Sequence, residues 1–142
     1  MEMTQILFEE HRNIYRVLDC LEKAVNLLEN AYTVQPGFFI EVVHFNKNFV
    51  VNHHQKIEET IFFETMFKCG LSRNNRTLLI ASLEHEQIVL YTRRLVTAAK
   101  RWQSGIQSAY REMIRNVWGF ISLMQRHMQD EENLIFAMAK NF

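Results

Sequence analysis

Helix breakers are scarce in this chain: 142 residues contain one proline and four glycines. So few breakers exclude a protein built on many tight turns and leave room for long uninterrupted helices. Cysteine is equally sparse. Cys20 and Cys69 are too few for a disulfide framework and form no C-x-x-C pair, so two reduced thiols in a cytoplasmic protein are expected. No apolar run approaches the roughly 18 residues that span a bilayer, and the start MEMTQILFEEHRNIY is too acidic for a secretory signal. An excess of either charge is missing too, with sixteen Lys+Arg against sixteen Asp+Glu. Without a broad field of one sign, neither nucleic acid nor an anionic membrane is expected as a partner. What is present is length enough for a single domain over residues 1–142, 48% hydrophobic residues, and six histidines outside the charge balance.

The few breakers are grouped. Pro36-Gly37 stand together, Gly70 lies close to Ser72 and Asn74-Asn75, and Gly105 follows Ser104. They divide the chain into four stretches of about 30 residues, each roughly 45 Å long if helical. The spacing predicts helices over roughly 4–31, 38–68, 74–103 and 107–139. Gly119 falls inside the fourth stretch, where it marks a close-packing point or a small void.

Apolar residues recur at steps of three and four. The first stretch carries Leu7, His11, Ile14, Leu18, Leu21, Val25 and Leu28 on one face. In the third, Leu78, Ala81, His85, Ile88, Thr92, Leu95, Ala99 and Trp102 repeat the pattern, and in the fourth Met113, Val117, Phe120, Met124, His127, Glu131, Leu134 and Met138 do so. The second is apolar all round near Phe38–Val51, so its face is less distinct. No segment alternates with period two for long enough to form a strand. Stripes of this period joined by short connections predict an all-α, up-down-up-down antiparallel four-helix bundle.

Polar residues interrupt the oily seam. His11, His85, His127 and Glu131 stand where Leu or Ile belongs, and an unpaired buried carboxylate costs several kcal/mol. They are not isolated. His54–Phe63 and His127–Phe136 both read H-x-x-x-E-E-x-x-x-F, while Glu10–Ile14 and Glu84–Ile88 both read E-H-x-x-I. On a helix, positions i and i+4 share a face, so each H-x-x-x-E aims an imidazole and a carboxylate at one point. The chain therefore reads as a duplicated helical hairpin, with His11, His54 and Glu58 in one half and His85, His127 and Glu131 in the other. Four imidazoles and two carboxylates at one level of a bundle suit two divalent ions of iron, zinc, copper or nickel, with the carboxylates bridging. About four protein contacts per ion leave positions open, as in reactive sites.

At these residues the sequence resembles the hemerythrin-like family, cation-binding domains with an H…HxxxE…H…HxxxE pattern, over nearly its whole length. The resemblance implies a non-haem diiron centre with an oxo or hydroxo bridge, in which zinc or manganese can substitute. It implies His11, His54, Glu58, His85, His127 and Glu131 as ligands, Glu58 and Glu131 as bridges, and a small diatomic ligand, dioxygen or nitric oxide. Two departures stand out. Oxygen-carrying members have a second histidine where this chain has Val89, and usually an aspartate where it has Glu132. The site therefore resembles the four-histidine branch, which includes sensing domains and proteins of nitric-oxide stress and iron–sulfur repair. The repair proteins carry a cysteine-bearing N-terminal segment that is not in this sequence.

Binding or sensing of dioxygen, nitric oxide or iron is thus the expected function. The alternative is a diiron enzyme that turns over peroxide or nitric oxide or serves in iron–sulfur repair, although no separate acid/base residue is visible. A plain helical interaction module with structural histidines is the third reading. Around the site, Tyr15 lies one turn past His11 and is expected to be a packed aromatic. His53 is rotated about 100° from His54 and suits hydrogen bonding or the surface. His44 lies about 15 Å from His54 along the helix, too far to share its ions. Glu59 and Glu132 are expected to be solvated. No protein partner is legible.

Overall fold

The computed structural model describes residues 2–142. It contains four long helical stretches, and among the described residues there is no strand. Helix α1 is Met3–Glu29, α2 covers residues 36–68, α3 is Arg76–Gln103 and α4 covers residues 109–139. Connections of a few residues force antiparallel neighbours. Helix α3 packs against both α2 and α4, and α1 closes the square against α4. The four-helix bundle expected from the periodicity is the fold observed.

Local chemistry explains the helix ends. Pro36 opens α2 at its first turn, where its missing N–H is no loss. Asn75 caps α3, its side-chain oxygen accepting from the Leu78 N–H at 3.2 Å. Helices α1, α2 and α3 all stop in the same way, with a residue of positive φ just past the end. The following N–H then reaches back to the last turn: Tyr32 to Leu27, Leu71 to Met66 and Ile106 to Arg101. Gly70 and Gly105 take that position with φ of 113° and 99°, but in α1 it is Ala31 at 64°. Because no glycine marks this end, the periodicity carries the expected helix to residue 31, whereas α1 stops at Glu29.

Helices α2 and α4 are not uniform α-helix. Asn46–Gln55 and Glu58–Phe62 in α2, and Glu131–Phe136 in α4, are wound as π-helix. This looser winding is uncommon and gathers at functional sites. In both helices a π segment begins at the glutamate of H-x-x-x-E. The sequence gives no sign of it, since the apolar spacing hardly changes.

The core is split in two. A large apolar cluster includes Ile14, Leu18, Val50, Ile88, Phe120 and Met124, and a smaller one is built from Leu7, Phe62, Phe63, Leu78, Ala81 and Ile135. Along each helix the boundary falls at the stripe's polar residues. His11 lies between Leu7 and Ile14, His54 and Glu58 between Val50 and Phe62, His85 between Ala81 and Ile88, and Glu131 between Met128 and Ile135. A polar layer thus crosses an otherwise close-packed interior. Gly119, inside α4, is a close-packing point: a Cβ there would come 2.6 Å from the Tyr91 hydroxyl.

Candidate metal centre

The polar layer brings together all six residues of the two motif pairs. His11, Glu58 and Glu131 are 0% exposed, His54 and His127 2%, and His85 5%. Their donor atoms form two overlapping groups, each with all atoms within 4.8 Å of one another. One contains His11, His54, Glu58 and Glu131; the other contains Glu58, His85, His127 and Glu131. Each helix supplies at least one member, and the two glutamates belong to both groups.

Imidazole orientation supports a convergent site. All four histidines turn Nε2 inward. The Nε2 atoms of His11 and His54 are 3.1 Å apart, about the separation of two adjacent nitrogens each roughly 2.1 Å from one ion. His54 Nε2 lies 3.3 Å and His85 Nε2 3.1 Å from Glu58 Oε1, while His11 and His127 Nε2 each lie 3.2 Å from Glu131 Oε1. These contacts have ion-pair distances without hydrogen-bond geometry. Both oxygens of Glu58, both of Glu131 and His85 Nε2 are buried with no hydrogen-bond partner. Four partnerless carboxylate oxygens cost several kcal/mol in a layer that offers them only imidazoles. Divalent cations among them would remove that cost. The residues present fit metal ions by number, burial and chemistry.

A second set of carboxylates fixes the outer side of each ring. His54 Nδ1 donates to Glu10 at 2.9 Å, His85 Nδ1 to Glu59 at 2.6 Å and His127 Nδ1 to Glu84 at 3.0 Å. His11 Nδ1 faces Glu132 at 3.6 Å. The contacts run in a circle: α1 serves α2, α2 serves α3, α3 serves α4 and α4 serves α1. An Nδ1–H held outward leaves the Nε2 lone pair pointing at the centre and raises its basicity. The carboxylates are held in turn, Glu10 by His53 at 2.7 Å, Glu59 by Ser82 at 3.0 Å and Glu84 by Arg126 at 3.4 Å. Phe136 stacks on His11 and Phe63 on His85, with ring centroids 5.4 and 6.2 Å apart, so equivalent phenylalanines wall the two halves.

Electrostatics follow from this crowding. Burial alone would lower the histidine pKa values, yet the Glu58 carboxylate and the Glu10 hydrogen bond push His54 up to about 10. Glu131 and Glu84 likewise overcome burial and push His127 up to about 9. Glu131 is held well below the usual carboxylate range, its burial outweighed by His127, His11 and His85. Glu131 is thus charged, and without metal His54 and His127 retain protons at neutral pH.

The neighbours sort differently from expectation. Glu59 and Glu132 are not simply solvated but serve His85 and His11 on the next helix. Tyr15 belongs to neither metal group, and burial with the Glu132 carboxylate pushes its phenol up to about 12. His53 reaches Glu10 rather than the centre, and His44 is exposed. Sequence reasoning missed Glu10 and Glu84. Their signal lay in the repeated E-H dipeptide, since the residue before an inward histidine faces the adjoining helix.

No curated protein and no solved structure matches the chain. The model of the hemerythrin HHE cation binding domain does, over residues 2–139. With that coverage and a buried His/Glu layer able to hold metal, the chain belongs to the hemerythrin HHE cation-binding domain family.

Proposed function

We propose that the chain holds two non-haem iron ions, one in each His/Glu group, and binds or senses dioxygen, nitric oxide or iron itself. The observation that carries this reading is the sharing of Glu58 and Glu131 by both groups. Two carboxylates common to two ligand sets are what a pair of bridged ions requires. Each group offers four protein residues, His11 and His54 or His85 and His127 with the two glutamates. That number leaves positions for an exogenous ligand. When bound, such a pair supplies reversible redox chemistry and affinity for small diatomic molecules.

The chain's own residues do the rest. The outer carboxylates orient the imidazoles, and Phe63 and Phe136 keep water from the centre. Binding fits better than catalysis, because Glu10, Glu59 and Glu84 are all engaged in holding histidines rather than free to move protons. Anaerobic loading with ferrous iron followed by admission of air tests the reading. A new near-ultraviolet charge-transfer band is expected, and retained iron with an unchanged spectrum would reject it. Elemental analysis of the same samples separates iron from substituting zinc or manganese.

A further inference from the structure

The duplication provides an internal control, because each half shows what the other could have been. Beside the second half runs a cleft of about 70 Å³ that touches His127 and Glu131. Its mouth lies between Ile80 and Leu134, 42% and 51% exposed, and its floor includes Ala81 and Ile135, 3% and 1% exposed. His11, His54, Glu58 and His85 do not line it, so it is not the space among the ligands but abuts them from outside.

The matching positions of the first half are larger. Counted from the E-H and H-x-x-x-E motifs, Leu7 stands where the second half has Ala81, and Phe62 where it has Ile135. Leu7 and Phe62 are 0% and 4% exposed, packed in the smaller apolar cluster. A larger hollow of about 630 Å³ borders Phe62 but touches none of the six layer residues. The depth of the second-half cleft thus follows from two smaller side chains in an otherwise repeated structure.

We infer that an uncharged diatomic ligand reaches the centre through this α3–α4 cleft, and arrives on the His85–His127 side. The inference rests on the metal reading above and adds which group receives the ligand and which residues set access. Size limits the class: 70 Å³ is about two waters' share of the liquid. The walls Ile80, Ala81, Leu134 and Ile135 are apolar, and the carboxylates of Glu84 and Asp130 at its edge disfavour anions.

Two variants narrow the route without touching a layer residue. Ala81→Leu installs the side chain of the first half, and Leu134→Trp covers the mouth from an exposed position that does not threaten folding. Stopped-flow mixing of ferrous-loaded protein with nitric oxide should show association at least tenfold slower in both, with iron content unchanged. Xenon-pressurised crystals of metal-free protein should hold xenon beside Ala81 in the wild type and lose it in Ala81→Leu. Equal association rates in all three proteins would overturn the route. If loaded wild type took up no nitric oxide, the ligand-binding function would fail. The xenon site would then decide the cleft, and its absence would overturn the inference.

Discussion

Glu84 shows how much one carboxylate in this layer does. It is 7% exposed, accepts from His127 Nδ1 at 3.0 Å, and is itself held by Arg126 at 3.4 Å. Glu84→Gln keeps the shape but removes the charge that makes His127 a better donor. Losing such an outer partner weakens metal binding by about 10–100-fold, which is about 1.4–2.8 kcal/mol. Competition against a chelator of known affinity should show this loss with little change in helix content. An unchanged affinity would mean that the Glu84 contact is incidental. At this scale the six inward residues were legible because a histidine or glutamate on an apolar stripe is conspicuous. Glu10 and Glu84 were not, since a glutamate on a polar face looks the same whether it meets water or the next helix. Glu59 and Glu132 were misread as solvated for that reason.

At the scale of the element, periodicity located the helices but not their winding or their ends. The π-wound turns beginning at Glu58 and Glu131 keep the apolar pattern intact, so nothing in the spacing of Phe62, Phe63, Ile135 and Phe136 announces them. The end of α1 was hidden because Ala31, rather than glycine, occupies the left-handed position with φ of 64°. A side chain there costs about 1 kcal/mol through the approach of Cβ to the carbonyl oxygen. Ala31→Gly should therefore raise the unfolding free energy by about 0.5–1 kcal/mol, the gain being reduced by the greater freedom of glycine in the unfolded chain. Chemical denaturation would register it as a higher midpoint with an unchanged slope. A lower midpoint would show that the terminus is held by something other than this turn.

For the whole molecule, the polar layer between two apolar clusters sets how stability responds to pH and metal. In metal-free protein the raised pKa values of His54 and His127, about 10 and about 9, favour their charged forms. Their stabilisation is full below the unfolded value near 6.5 and is lost as pH rises through 9 and 10. The depressed Glu131 contributes above its unfolded value of 4.5 and loses this as pH falls well below that value. Metal-free protein should accordingly be most stable between about pH 4.5 and 6.5. Metal has the opposite dependence, because it takes neutral imidazole and must displace those protons. The rise in Tm on adding zinc should be larger at pH 8 than at pH 6. A rise that shrank with pH would place the metal elsewhere than on these histidines.

The global architecture was the most legible level, because four stripes and three clusters of breakers allow few arrangements. Duplication made the centre legible as well, since two weak motifs in the same register are far stronger than one. What the sequence could not convey was the difference between the halves. The contrast of Ala81 with Leu7 becomes meaningful only once the layer and its cleft exist in space. Metal content per chain tests the central claim most directly. Protein loaded anaerobically with ferrous iron and freed of excess should contain two ions per chain, and Glu131→Gln, which weakens a residue common to both groups, should fall well below two. A wild-type content of one or none, or full loading of the variant, would contradict a centre of two ions joined through Glu58 and Glu131.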